Sequence, residues 1–77
     1  MERKISIENK KVIIENLVNQ SRFIVSKNQD EWLSRYEEYS SYGKKWRYIS
    51  KESFGNTDTD FLAWHFGIDK SYFEKLL

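Results

Sequence analysis

Residues 5–25, ISIENKKVIIENLVNQSRFIV, decide the fold class, because their apolar positions fit two periodicities. Apolar residues at i, i+4 and i+11 form one amphipathic helical stripe. The stripe consists of Ile13, Leu17 and Ile24 together with Ile14, Val18 and Val25. Ser6 can cap such a helix, and we predict a helix within residues 1–27. The alternative is two short strands, Lys4–Glu8 and Arg22–Ser26, because isoleucines alternate in the first and the second is rich in β-prone residues.

The sequence pattern over residues 28–43 predicts a second helix. Asn28 or Asp30 can cap it, the acidic first turn complements the helix dipole, and Gly43 is suited to the C-terminal stop. One face of this helix carries Trp32, Leu33, Tyr36 and Tyr39. A third short helix is expected from Lys44 to about Ser53, with Trp46 and Ile49 buried.

The C-terminal segment predicts two more helices. Thr57 or Asp58 caps the first, which runs through Phe66 and ends at Gly67. Asp69 caps the second, Lys70–Leu77, whose inward residues are Tyr72, Phe73 and Leu76. The prediction is therefore an all-α fold: residues 1–77 form a single helical domain, a small bundle of four to five short helices, with a helical core over 28–77.

Composition narrows the function. The chain of 77 residues has no cysteine and one histidine, so neither a disulfide framework nor a zinc site is expected, and we predict no cofactor. The apolar runs are far shorter than the ~18 residues of a membrane span, and the charged N-terminus lacks a signal region. We expect a cytoplasmic protein without a membrane association. A net charge of +1 means that nucleic-acid binding would depend on local patches.

Residues 61–76, FLAWHFGIDKSYFEKL, resemble the bacterial helix-turn-helix motif. Ala63 matches the small residue of the first helix, and Gly67 matches the turn four residues later. The resemblance implies a helix-turn-helix at about residues 57–77 whose recognition helix begins at Asp69. It implies DNA contacts from Lys70, Ser71, Tyr72 and Lys75. The alternative interpretation is a helical hairpin that closes a core.

A second resemblance, to the Myb/SANT repeat, is carried by Trp46, Ile49, Gly55, Thr57 and Phe61 at the spacing of that family. It implies a tri-helical arrangement in which residues 57–66 form the recognition helix. That helix is acidic at one end and apolar at the other, which suits a protein partner better than DNA. We favour the helix-turn-helix register.

A basic cluster precedes these segments. Lys44, Lys45, Arg47 and Lys51 are interleaved with Tyr42, Trp46 and Tyr48, and a basic helix at this position would contact phosphates. The alternative is a solvated face over a buried tryptophan. The Ile13–Val25 stripe is a candidate surface for a homodimer.

Catalytic motifs are not recognised in the sequence, and we predict that the chain is not an enzyme. The favoured function is a small DNA-binding regulator or accessory protein of a phage or mobile element, acting on duplex DNA. The alternative is a protein-binding inhibitor or adaptor, for example one that blocks a host enzyme or defence complex. Surplus aromatic residues, 17% of the chain, favour that alternative, because Tyr and Trp dominate protein interfaces.

Overall fold

The computed structural model describes residues 2–77 and is predominantly β. Its elements are β1 (Arg3–Glu8), β2 (Lys11–Asn16), β3 (Ser21–Asn28), β4 (Glu31–Ser40), β5 (Lys45–Gly55), α1 (Thr59–Phe66) and α2 (Ser71–Glu74). The strands form one antiparallel sheet in the order β1-β2-β3-β4-β5, so each strand pairs with its neighbours in sequence. The predicted all-α bundle is therefore wrong, as is the predicted helical core over residues 28–77.

The N-terminal segment forms strands because its apolar residues alternate within each strand. Val12 of β2 pairs with Val25 of β3, and both side chains are fully buried. Ile14 is buried on the same face, whereas Ile13 points to the other face. The predicted helical stripe, and with it the candidate dimer surface, is thus divided between the two faces and a turn that exposes Val18. The strand alternative located β1 and β3 to within two residues but missed β2.

The hairpin turns explain why the sheet is hard to recognise. Non-glycine residues occupy positive φ in all four turns: Asn9, Lys10, Gln20, Gln29 and Lys44. Positive φ at both central residues marks a type I′ turn, which usually carries Asn-Gly or Asp-Gly. Within residues 2–77, glycine takes positive φ only at Gly55, the last residue of β5, and at Gly67, at the end of α1. Gly43, predicted to end a helix, lies in the β4–β5 turn.

The second and third predicted helices are instead β4 and β5. Trp32 and Ser34 are 1% and 4% exposed on the face beneath the helices, while Leu33 and Glu37 point to the opposite face. The β4–β5 pairing is irregular twice, between Trp32 and Leu33 and between Tyr36 and Glu37. The first irregularity is a bulge at Phe54, and the Phe54 side chain packs against the core.

The two helices cover one face of the sheet. Asp58 caps α1 by accepting a hydrogen bond from the Phe61 backbone N–H at 2.9 Å, and Gly67 ends the helix at φ 69°. These two helix ends confirm the sequence prediction. The core contains Leu62 and Phe66 of α1 and Phe73 of α2, packed on Val12, Ile14, Val25 and Trp32. The rings of Phe73 and Trp32 meet edge to face, with centroids 6.1 Å apart.

The segment that resembles a helix-turn-helix packs against one face of the sheet and covers its core. α2 has four residues, about one turn, and its central Phe73 is fully buried. A helix this short cannot extend along a major groove, so the predicted recognition helix is wrong. The Myb/SANT expectation is also wrong, because residues 45–55 form a strand.

Two polar contacts hold the C-terminal helices in place. The Arg3 guanidinium donates to the carbonyls of Phe66 and Gly67, at 3.0 and 2.9 Å, which ties β1 to the C-terminal end of α1. Asp69 Oδ1 accepts the Ser71 backbone N–H at 2.8 Å. That hydrogen bond, with help from the Ser71 hydroxyl and the Lys70 charge, lowers the pKa of Asp69 below its usual value.

Candidate binding surfaces

The predicted DNA-binding residues fall into two separate groups. Lys44 is in the β4–β5 turn, and Lys45, Arg47 and Lys51 are on β5. The other group, Lys70, Ser71, Tyr72 and Lys75, surrounds α2, which packs beside Trp32 at the opposite end of β4. Lys45 pairs with Ser40, eight residues along β4 from Trp32 and so about 27 Å away, whereas Lys51 pairs with Arg35, nearer to Trp32 but on the face of the sheet away from α2. The structure therefore does not bring the eight residues into one site.

The outer side of α1 carries an aromatic patch that the predicted site residues did not include. We define the α1 patch as Phe61, Trp64 and His65, which lie at i, i+3 and i+4 on one side of the helix. Trp64 is 77% exposed and Phe61 is 40% exposed. The Phe61 ring lies 5.9 Å from Trp64 and stacks on His65 at 5.8 Å between centroids.

Phe54, the bulged residue of β5, contacts the α1 patch from the side of the sheet. Its ring centroid lies 5.0 Å from His65 and 6.2 Å from Phe61. The bulge thus connects the sheet to the outer side of α1.

Helix α1 is apolar on both sides. Leu62 and Phe66 face the core and are 0% and 9% exposed, while Phe61 and Trp64 face outward. Aromatic residues on the outer side of a helix whose other side already faces the core normally pack against a further surface. The polar groups near it are Asp60 and Lys70, which form an exposed ion pair at 3.4 Å. Their opposite charges leave the rim of the patch close to neutral.

A second surface lies on the sheet face away from the helices, which we call the open face. At its centre Glu37, only 7% exposed, accepts hydrogen bonds from Arg22 at 2.8 Å and from Arg35 at 3.0 Å. The Arg22 guanidinium carbon lies 4.1 Å from the centre of the Trp46 ring, and that of Arg35 lies 4.8 Å from the Tyr48 ring. These stacked guanidinium–ring pairs are cation–π interactions.

The basic cluster recognised in the sequence persists, on a strand rather than a helix. We define the basic strip as Tyr42, Lys44, Lys45, Trp46, Arg47, Tyr48 and Lys51. Residues 39–51 contain four cations and no carboxylate side chain. Tyr42 is fully exposed and Tyr48 is 52% exposed. β5 is also an edge strand of the sheet. Trp46, Tyr48 and Lys51 point to the open face beside Arg22 and Arg35, whereas Lys45 and Arg47, which pair with Ser40 and Glu38, point to the other side of this edge.

The surface depressions are shallow. The larger has a volume of about 210 Å³ and lies between β2, β3 and the end of α1, where it is lined by Arg3, Asn16, His65 and Phe66. The other, about 200 Å³, lies on the open face beside Lys11, Arg35 and Lys51. Both are smaller than ordinary ligand pockets of roughly 300–1,000 Å³. Among residues 2–77 no three His, Cys, Asp or Glu residues are grouped to hold a metal ion.

Comparisons with protein families, characterised proteins and solved structures found no match to the chain. In the described part of the chain, neither helix has the length and apolar character needed to cross a membrane. The assignment of a function therefore depends on the geometry of the two surfaces.

Proposed function

We propose that this chain is a protein-binding module that docks through the α1 patch. The observation that carries the proposal is Trp64, which is 77% exposed beside a 40% exposed Phe61. An aromatic side chain buries on the order of 150–250 Å² when covered, and Trp and Tyr are the commonest residues at the energetic centre of protein interfaces. Of the two functions expected from the sequence, the inhibitor or adaptor fits this surface.

The chemistry of the patch defines the partner. Anchors at i, i+3 and i+4 of one helix fit an apolar groove or pocket in a partner protein. The groove would receive Trp64 and Phe61, and polar groups at its edge would meet Asp60 and Lys70. The favoured expectation from the sequence, duplex DNA, stays a prediction. It depended on a helix-turn-helix and on the Lys44–Lys51 cluster, and residues 57–77 do not form the first of these, so we do not propose that function for this fold.

The test compares three forms of the protein in nuclease-treated lysate: the wild type, Trp64→Ser and Tyr42→Ser. Tyr42 is the matched control because it is a fully exposed aromatic residue outside the patch. We expect the wild type and Tyr42→Ser to capture one protein in stoichiometric amounts. When the chain and the captured protein are purified, Trp64→Ser should raise the Kd of their complex by roughly 30-fold or more, which corresponds to the loss of about 2 kcal/mol at a hot spot.

Thermal unfolding of the same proteins separates binding from folding. Because Trp64 is largely exposed, Trp64→Ser should change the free energy of unfolding by no more than about 0.5 kcal/mol. If all three proteins capture the same set with the same affinity, the α1 patch is not a docking site and the proposal is wrong.

A further inference from the structure

We propose that the basic strip, together with Arg22 and Arg35 on the adjoining open face, is a binding site for single-stranded nucleic acid. This site is separate from the α1 patch: it lies at the β4–β5 turn and along β5, whereas the patch lies on α1. Two independent properties of the described residues, charge segregation and aromatic exposure, support it.

Charge is concentrated in this region although the whole chain is nearly neutral. The basic strip and the neighbouring β3 and β4 residues carry six cations (Arg22, Arg35, Lys44, Lys45, Arg47, Lys51) against three carboxylates (Glu37, Glu38, Glu52). The rest of the chain carries seven cations and nine carboxylates. The Glu37 charge is already compensated by Arg22 and Arg35. A polyanion would therefore be attracted to this end of the molecule and repelled elsewhere.

Aromatic rings and guanidinium planes supply the surfaces on which bases stack. Tyr48 is 52% exposed with Arg35 beside its ring, and Tyr42 projects fully into solvent. Trp46 is covered by the Arg22 guanidinium, whose outer plane is itself a stacking surface for a base. A positively charged surface interleaved with aromatic rings is the arrangement by which proteins bind single strands without sequence preference.

The same geometry favours a single strand over a duplex. Bases must be unstacked to reach rings that lie on a sheet surface, and in a duplex they are paired and stacked. A duplex reader inserts a helix or a β-ribbon into a groove. α1 and α2 pack on the opposite face of the sheet from Tyr48, so neither helix is placed to do this for a ligand on the strip.

The test is fluorescence anisotropy with a labelled oligothymidylate of about 16 nucleotides, the upper end of known site sizes, and with a duplex of equal length. We expect the single strand to bind more tightly. If the four lysines and arginines of the strip each contact a phosphate, log K should fall with log salt at a slope of about −3. The variant Lys45→Gln/Arg47→Gln should reduce that slope by about 1.4.

Two further variants test the stacking and the Glu37 network. Tyr48→Ser should weaken binding roughly 5- to 150-fold, the range for loss of one stacked base, without a change in salt slope. Glu37→Gln should strengthen binding, because it frees Arg22 and Arg35 to contact phosphates. An unchanged affinity in both variants would overturn the proposal.

The matched control is Lys70→Gln/Lys75→Gln, which removes the same charge near α2. We expect this variant to bind as the wild type does, and equal losses in both double variants would overturn the site in favour of general attraction. Equal or tighter binding of the duplex would overturn the single-strand assignment, and so would an absence of binding at low salt. Trp64→Ser should retain binding, so failure of this proposal and failure of the protein-docking proposal are distinguishable.

Discussion

Glu37→Gln is expected to destabilise the fold, because Glu37 is the only carboxylate of the described chain that is buried. Its side chain is 9% exposed and accepts from Arg22 at 2.8 Å and from Arg35 at 3.0 Å. A hydrogen bond to a charged group contributes about 1.5–3 kcal/mol. The arginine side chains are 23% and 52% exposed, and solvent weakens such pairs, so the lower end of that range applies.

Glutamine keeps one acceptor oxygen and removes the charge and the second acceptor. We therefore expect Glu37→Gln to lower the free energy of unfolding by about 1.5–2 kcal/mol, and the Tm by roughly 6–16 °C for a domain of this size. Urea unfolding followed by tryptophan fluorescence measures the first quantity directly. Trp32 is buried in the core and Trp46 lies beside Arg22, so both report on the loss of structure.

Glu38→Gln is the control for this prediction. Glu38 is the next residue on the same strand, but it is exposed, and its carboxylate accepts a hydrogen bond from the Tyr36 hydroxyl at 3.1 Å. Its replacement should change stability by no more than about 0.5 kcal/mol. If Glu37→Gln is no more destabilising than Glu38→Gln, the two arginines contribute nothing to the fold and the reasoning is refuted.

Three other predictions concern local contacts. Lys10→Gly, which leaves Asn9 unchanged in the type I′ turn, should raise the free energy of unfolding by about 0.5–1 kcal/mol, because glycine adopts positive φ without strain; a loss in urea unfolding would contradict this. Arg3→Ala should cost about 1–2 kcal/mol by leaving two carbonyls at the end of α1 without a donor, whereas Lys4→Ala on the opposite face should cost less than about 0.5 kcal/mol. Folding lowers the pKa of Asp69 from its usual 3.8, so its contribution is present above that pH and is lost as the pH falls through the folded value. Acid titration of Asp69→Asn should therefore show a smaller loss of stability below about pH 4 than the wild type, and identical curves would contradict the assignment.

The ends of α1 could be predicted from the sequence because capping is local. Asp58 and Gly67 cap α1 through contacts with residues only a few positions away in the chain. The sheet could not be predicted in this way, because its turns place Lys10, Gln20, Gln29 and Lys44 at positive φ. None of these is a usual turn residue. In such turns the surrounding strand pairing overrides local preference.

The alternation of side chains between the two faces of β4 was also hard to recognise from the sequence. Ser34 is buried beneath the helices and Glu37 is buried on the open face, so the alternation of apolar and polar residues expected of a strand is broken on both sides. The pattern of aromatic residues at 32, 36 and 39 then matched a helix. Buried polar residues that are satisfied by neighbouring strands are invisible until the pairing is known.

The candidate surfaces were predicted in part for a related reason. Lys44, Lys45, Arg47 and Lys51 are close in sequence and therefore share one strand and its turn, although Lys45 and Arg47 point to the opposite face from Lys51. Arg22 and Arg35 join them only through the β3–β4 and β4–β5 pairing. Trp64 was not singled out in the sequence, and its exposure became evident only when the sheet covered the other side of α1.

The sequential strand order has a consequence for how the chain is made. Every hairpin joins adjacent strands and can form in about 1–10 μs once synthesised. The sheet face that carries Val12 and Val25 is covered only when Leu62 and Phe73 have emerged as well. At about 5–20 residues per second, the residues after β5 take on the order of one to four seconds to synthesise. During that interval a nearly finished sheet exposes its apolar face, which makes this the stage at which a chaperone would act and at which neighbouring nascent chains would aggregate.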